Sequence, residues 1–263
     1  MSGPSKNVDG EVSAAPQLSS FAVVVPMFNE EQGAERCVRE IVRVLGTMPH
    51  RTALIAVNDG SGDGTAAVLQ RASVSTPKLE VVTHPQNRGY GAALATGAHV
   101  AAERGFDYAL FMDSDLTNNP DDLPRFAKEM DAGADVVKGT RFSGGGRMLG
   151  VPWRRAVVSR TGNLIAGGLF RLPLHDCTNG FRAVRSALRV KMQLKERGFP
   201  VIVEELYWCR FLATRFAEVP VTLTNAERAS SFRYRPSVFA SYLRYPLRAF
   251  FGIAPEGLEG VRQ

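Results

Sequence analysis

A chain of 263 residues, 44% hydrophobic and 22% charged, can bury a substantial core and has the balance of a soluble globular protein. No apolar run approaches the roughly 20 residues that a membrane-spanning helix needs, and residues 1–20 lack the basic-then-apolar layout of a secretory signal, reading instead as a disordered leader. Cys37, Cys177 and Cys209 are widely spaced and odd in number, which excludes a disulfide framework and points to a reducing, cytoplasmic compartment.

The net charge of +6 conceals a division. Residues 1–140 carry 12 Lys and Arg against 18 Asp and Glu, whereas residues 141–250 carry 19 against 6. The basic half is almost all arginine, the side chain suited to gripping phosphate bidentately. No helix-turn-helix, zinc-finger or aromatic RNA-binding signature accompanies it, so nucleic acid is not expected as a partner. Phosphorylated small molecules or an anionic membrane surface fit better.

In chain order, residues 21–26 form an apolar strand and residues 31–45 have helical spacing. Residues 53–57 form a second strand, after which Asp63 or Thr65 opens a helix through Leu69. Residues 79–83 are a third strand, followed by an alanine-rich helix through Ala102. Residues 108–112 are a fourth strand, 121–130 a helix and 134–138 a fifth strand. This alternation predicts an α/β fold with a mostly parallel sheet and helices on both faces. Beyond residue 140 a glycine-rich loop precedes a helix over 153–170, with Arg154, Arg155, Ser159 and Arg160 in its first turns. Residues 176–183 read as a short strand or loop, 203–216 as a helix, and 217–223 as a strand whose Pro220 marks an edge. A helix over 237–250 sets Phe239, Tyr242, Leu243, Leu247 and Phe250 on one face, Arg244 and Arg248 opposite, and a kink at Pro246.

Each strand end in the first half is followed by acids, amides and glycines: Pro26-Met27-Phe28-Asn29-Glu30, Asn58-Asp59-Gly60-Ser61, Asn87-Arg88-Gly89-Tyr90-Gly91 and Asp113-Ser114-Asp115. In open α/β sheets ligands bind at the carboxyl ends of the strands, so these segments converge on one rim. Phe28, Glu30 and Asp59 suit a base and ribose. Asp113 and Asp115 can share a divalent cation or bracket a ribose-diphosphate, since a buried acidic pair is costly unless compensated. The same triplet also suits a turn before a helix cap at Asn118 or Asn119. The EF-hand, dinucleotide-fingerprint, P-loop and hydrolase-elbow patterns are not met.

Taken in order, Pro-Met-Phe-Asn-Glu (26–30), Asn-Asp-Gly-Ser-Gly-Asp-Gly-Thr (58–65), Asn-Arg-Gly-Tyr-Gly-Ala-Ala (87–93), Met-Asp-Ser-Asp-Leu (112–116) and Gly-Thr-Arg-Phe (139–142) resemble family 2 glycosyltransferases. Asp-Cys-Thr-Asn-Gly-Phe-Arg-Ala (176–183) resembles the dolichyl-phosphate mannosyltransferase branch. The resemblance spans about residues 21–250. It implies a GT-A nucleotide-diphospho-sugar transferase fold, a nucleotide-sugar donor of the GDP-mannose or UDP-glucose type, a divalent cation (Mg²⁺ or Mn²⁺) and a polyprenyl or dolichyl phosphate acceptor.

Carried onto this chain, the resemblance assigns Pro26, Phe28, Glu30 and Asp59 to the nucleoside, with Asn58 and Ser114 in the same motifs. Asp113 and Asp115 become the metal and diphosphate pair. Thr117 stands where the family usually has glutamine. Arg141, Arg155 and Ser159 become the acceptor-phosphate group, and Arg228 or Arg233 the further diphosphate contact. The expected reaction is inverting and needs no general base, because a phosphate monoester with a second pKa near ~6 is mostly dianionic at neutral pH. Asp115, Arg141 and Arg155 would then carry catalysis. The rival expectations are transfer to a sugar hydroxyl, with Asp176 or Glu205 as base, and a non-catalytic subunit retaining the fold. The expected organisation is a leader over 1–20, a catalytic domain over 21–235 and a tail over 236–263. That tail would lie at the cytoplasmic face of a membrane or dock a membrane-embedded partner.

Overall fold

The computed structural model describes residues 18–224 and 236–258. In chain order its elements are β1 (Phe21–Met27), α1 (Ala34–Thr47), β2 (Thr52–Asn58), α2 (Thr65–Ser75), β3 (Leu79–Thr83), α3 (Tyr90–Glu103) and β4 (Tyr108–Phe111). A 3₁₀ turn at Pro120–Asp122 leads into α4 (Leu123–Asp131), β5 (Val136–Thr140), β6 (Arg147–Leu149), α5 (Trp153–Phe170), β7 (Arg182–Arg185) and α6 (Ser186–Arg189). The chain continues with α7 (Val201–Leu212), β8 (Phe216–Pro220), β9 (Thr222–Thr224) and α8 (Pro236–Phe250).

Seven strands form one sheet in the order β3-β2-β1-β4-β7-β5-β8, and β6 pairs with β9 in a small parallel ribbon. All seven residues of β1 are buried, as an unbroken apolar run in the middle of a parallel sheet should be. Its side chains alternate between two cores. Phe21, Val23, Val25 and Met27 meet Ile41 and Leu45 of α1 and Phe126 of α4, while Ala22 and Val24 meet Ala93, Leu94 and Ala98 of α3. A Cβ on Gly97 would stand 2.2 Å from Val24 Cγ1, so glycine is what lets α3 approach this closely.

The mostly parallel α/β architecture matches the sequence expectation, with one strand reversed. β7 runs antiparallel to both β4 and β5. Its entering loop, residues 176–181, is thereby threaded along the carboxyl rim of the parallel strands. β8 is the sheet edge, and Pro220 lies at its end, where a missing N–H costs least. α7 ends at Leu212 rather than 216, because Phe216 is drawn into β8 opposite Val136.

The last helix departs from its predicted face. It docks through Tyr245 and Ala249, 4% and 5% exposed, whereas Leu243, Leu247 and Phe250 are 50%, 36% and 38% exposed. Two polar anchors set this rotation: Tyr245 Oη donates to Glu196 Oε1 at 3.0 Å, and Arg248 Nε to Tyr207 Oη at 3.2 Å. Helical assignment runs through Pro246, which is buried; the Phe239 side chain lies outside the described residues. The described part of the tail packs on the body, since Leu258 is buried in the second core and Tyr207 Oη donates to Ile253 O. Of the expected leader, residues 1–17 lie outside the described residues. Ser19 and Ser20 are tied by backbone N–H groups to Asp131 and Asp107.

Candidate active site

The carboxyl ends of β1 and β2 are zipped together by side-chain to backbone bonds. Asn29 N–H donates to Ser61 Oγ and Glu30 N–H to Thr65 Oγ1, while Gly62 N–H donates back to Asn29 Oδ1. Asn29 adopts a left-handed φ of 55°, a conformation that asparagine tolerates better than most residues. The turn leaves Phe28 46% exposed at the rim. Pro26 and Asp59, which the resemblance assigns to the nucleoside, are buried, as is Asn58 beside them. Asn58 Oδ1 accepts from Ser61 N–H. Asp59 accepts from the Arg88 and Gly89 N–H groups at 2.9 and 2.8 Å and pairs with His84 Nδ1 at 2.6 Å. These residues shape the rim, on which Phe28 is exposed and Glu30 half-buried.

At the end of β4 the two aspartates are held differently. Asp113 Oδ1 accepts from Tyr90 Oη at 2.9 Å. Burial, then the charge of Asp115, pushes the Asp113 carboxyl up to about 6, against the opposing Tyr90 hydrogen bond and the Arg182 charge. Asp115 is exposed, and its Oδ1 accepts the Thr117 N–H and hydroxyl at 3.0 and 2.8 Å. Thr117 therefore orients Asp115 more than it offers a separate ligand. Leu116 between them has φ 55°, a left-handed conformation costing a leucine roughly 1–2 kcal/mol. Strain of this kind collects at functional turns.

A divalent cation fits here. Burial and the neighbouring charge of Asp115 raise the cost of ionising Asp113, a cost that a bound cation would offset, and among the described residues no cluster of three His, Cys, Asp or Glu competes for a metal. Mg²⁺ is commonly held by one or two carboxylates, with substrate phosphates and water completing the shell.

Across the rim, the Arg141 guanidinium is clamped by Asp176, with Nε to Oδ2 at 2.6 Å and Nη2 to Oδ1 at 2.8 Å, and also reaches Thr178 Oγ1. Asp176 is fully buried. Burial would raise its carboxyl, but Arg141 holds it below the usual range. Ser159 belongs to the same assembly. Its carbonyl accepts from Asn163 Nδ2, which also donates to Thr178 Oγ1, so α5 is bolted to the loop that grips Arg141. Arg155 lies one turn before Ser159 on α5, and its side chain is outside the described residues, as are Arg228 and Arg233.

The loop entering β7 joins the two sides. A Cβ on Gly180 would stand 3.0 Å from Asp113 Oδ2, while Asp176 in the same loop holds Arg141. Tyr242 of α8 senses both: burial pushes its phenol up to about 12, Arg141 and Arg182 pull it down, and Asp113 pushes it up. Asp113 and Arg141 therefore lie along one rim, linked by the 176–180 loop. Beneath it, Arg182 pairs with Glu205 (Nε to Oε1, 2.5 Å), Arg189 lies 3.2 Å from the other Glu205 oxygen, and Lys138 Nζ donates to Asn179 O at 2.6 Å. Burial, then Arg182, pushes the Lys138 ammonium down to about 8. Two arginines against one glutamate leave positive charge behind Asp113, which supports its ionised form. Sequence reasoning passed over Tyr90, Asn163 and Thr178; Tyr90 stood inside a quoted motif without a role.

The sequence matches the family model described as glycosyl transferase family 2 over residues 22–190. A polyprenol monophosphomannose synthase of Mycolicibacterium smegmatis is 30% identical over 90% of this chain and 87% of that protein. An undecaprenyl-phosphate mannosyltransferase of Micrococcus luteus is 29% identical over 79% of this chain and 85% of that protein. Among solved structures, glucosyl-3-phosphoglycerate synthase of Mycobacterium tuberculosis with UDP superposes with a TM-score of 0.62 at 22% identity, covering 91% of this chain and 82% of that one. The same synthase has been solved with Mn²⁺, UDP and glucosyl-3-phosphoglycerate, which superposes with a TM-score of 0.60 at 20% identity over 91% and 82% of the two chains. At such identity the likeness concerns the fold. Aspartates, rim and sheet thus converge with the match over more than half the sequence: this chain belongs to glycosyl transferase family 2 and is a glycosyltransferase of the GT-A fold.

Proposed function

We propose that the protein transfers a hexose from a nucleotide-diphosphate sugar of the GDP-mannose or UDP-glucose type to a polyprenyl phosphate, with inversion. An acceptor phosphate oxygen bonds to the anomeric carbon as the bond from that carbon to the nucleotide's phosphate oxygen breaks, and the nucleoside diphosphate leaves with the electron pair. The relatives named for polyprenol and undecaprenyl phosphate support this acceptor class.

The observation that carries the choice over a sugar hydroxyl is the state of the candidate bases. Asp176 and Glu205 are each paired with arginine and held below the carboxylate range despite burial. Neither is available to take a proton, and a dianionic phosphate requires no such base.

Phe28 and Glu30 would border the nucleoside. Asp113 and Asp115 would hold a divalent cation, which supplies charge stabilisation to the departing diphosphate. Arg141, whose Nε and Nη2 are fixed by Asp176, would meet the incoming phosphate through its Nη1 donors, with Ser159 and Arg155 on the adjoining helix. Fixing the guanidinium in advance lowers the reorganisation needed when the acceptor arrives.

A lipid acceptor needs a route from its membrane, and α5 supports one at the cytoplasmic face. Its inward stripe runs through Asn163, Ala166 and Phe170, 1%, 8% and 0% exposed. Its outward face carries Trp153, Val157, Val158, Leu164 and Ile165 at 69%, 54%, 57%, 76% and 52% exposed. α8 packs beside it and adds Leu243, Leu247 and Phe250, with Arg171 lying over the Phe250 ring. Exposed apolar surface edged by Arg154, Arg160, Arg171 and Arg244 suits an anionic bilayer. Among the described residues no helix is long and apolar enough to cross a membrane.

The test incubates the protein with labelled nucleotide sugars, Mg²⁺ or Mn²⁺, and a short polyprenyl phosphate or the corresponding polyprenol. Glycolipid formed only from the phosphate, and lost in D115N and R155A, supports the proposal. Transfer to free sugars but not to the lipid phosphate refutes it.

A further inference from the structure

The loop Asn87-Arg88-Gly89-Tyr90-Gly91 touches both acidic segments of the site, although the reaction scheme gives it no part. Its Arg88 and Gly89 N–H groups bind the Asp59 carboxylate at the end of β2, and one residue later the Tyr90 hydroxyl binds Asp113 at the end of β4. The tyrosine is fixed from both sides. Its ring stacks on Phe199 with centroids 4.6 Å apart. The next N–H, Gly91, donates to Arg197 O at 2.7 Å. A Cβ on Gly91 would meet Glu196 O at 2.1 Å, and one on Gly89, whose φ is 97°, would meet Arg197 O at 2.6 Å. Only glycine at these two places lets the segment before α7 lie across the start of α3 and press Phe199 onto Tyr90. On the far side, the Cα of Gly180 closes on the same pair, leaving 3.0 Å to Asp113 Oδ2 and 3.3 Å to Tyr90 Oη for any Cβ.

Asp113 thus has one oxygen bound by Tyr90 and no room to swing towards Gly180. We propose that Tyr90 is a positioning residue: it fixes the Asp113 carboxylate in the orientation in which, with Asp115, it receives the divalent cation of the nucleotide diphosphate. This rests on the metal role given to the aspartate pair under Proposed function. Partners that orient a metal-binding carboxylate typically contribute about 10–100-fold in metal affinity or activity when removed.

The experiment follows Mn²⁺ binding directly, by electron paramagnetic resonance titration of the full-length protein with GDP or UDP present, beside the melting temperature of each variant. Y90F keeps the ring against Phe199 and removes only the hydroxyl. It is expected to raise the Mn²⁺ dissociation constant roughly tenfold or more without lowering the melting temperature. G180A keeps the Tyr90 hydroxyl but presses on the Tyr90–Asp113 pair, and is expected to weaken Mn²⁺ in the same direction. Y90F binding Mn²⁺ within about twofold of the unaltered protein would overturn the inference while leaving the aspartate pair in place. Mn²⁺ binding that is absent from the unaltered protein with both nucleotides would overturn the metal assignment and the inference together.

Discussion

The acidic and basic halves of the chain handle charge in opposite ways. In residues 18–140 the rim carboxylates are held mostly by neutral donors: Asp59 by two backbone N–H groups, Asp113 by a phenol, Asp115 by a threonine. The negative charge of Asp113 and Asp115 therefore remains largely available to a cation, whereas that of Asp59 is taken up by the loop and His84. In residues 141–224 many of the arginines are matched internally, Arg141 by Asp176, Arg182 and Arg189 by Glu205, and Arg185 by Asp135. Others have no carboxylate partner among the described residues: Arg154 and Arg160 on α5, Arg244 on α8, and Arg147, Arg171, Arg197, Arg210 and Arg215 elsewhere. A surplus of arginine in a sequence is thus no measure of free positive field. Here part of it forms a buried frame behind the aspartates, and part edges the apolar surface of α5 and α8.

The contrast can be broken at several points. The largest effect is expected at the cation site, where D115N should lower the transfer rate by about 10²-fold or more with the fold intact, measured by initial rates beside a thermal melt. Next comes the arginine clamp. D176N leaves Arg141 without its buried partner, and chemical denaturation should show a loss of about 3–5 kcal/mol.

The same variant tests the pH dependence. Asp176 is held below its unfolded range, so its contribution is complete above that range and lost as pH falls through the folded-state value. D176N should accordingly flatten the acid limb of stability; an unchanged limb would mean other carboxylates set it.

A smaller effect is expected on the outer surface. L164D should reduce flotation with anionic vesicles by about tenfold, the scale of one aliphatic side chain leaving an apolar phase, while sparing turnover on a detergent-dispersed short acceptor. Equal flotation would take α5 out of the membrane contact. The smallest effect is at Thr117, where T117V removes one hydroxyl donor from Asp115 and should lower turnover by about fivefold, equivalent to about 1 kcal/mol.

The first half of the fold was legible because parallel strands buried on both faces are unbroken apolar runs, and because the turns after them need glycine, asparagine and aspartate. Asp113, Asp115 and the rim followed from that pattern. Three features were hidden for physical reasons. β7 carries Arg182, and a charged residue in a short segment argues against a central strand unless its partner Glu205 is known. Glu204 and Glu205 look like solvated acids opening a helix, yet they are 3% and 1% exposed because each is satisfied by distant groups. The outward apolar face of α5 and the docking of α8 through Tyr245 both invert the usual pattern, in which apolar residues face the core. Asp59 was placed at the rim correctly, but sequence could not show that the Asn87–Gly91 loop already occupies it.

The most direct measurement is the pair of KM values, for nucleotide sugar and for polyprenyl phosphate, in R141K. This substitution keeps a cation beside Asp176 but gives up the planar fork. If the two charge systems serve the two substrates across one crevice, the acceptor KM should rise about tenfold or more while the donor KM stays within about twofold. A rise confined to the donor KM would contradict the assignment of Arg141 to the acceptor phosphate, and with it the division of the site between acidic and basic halves.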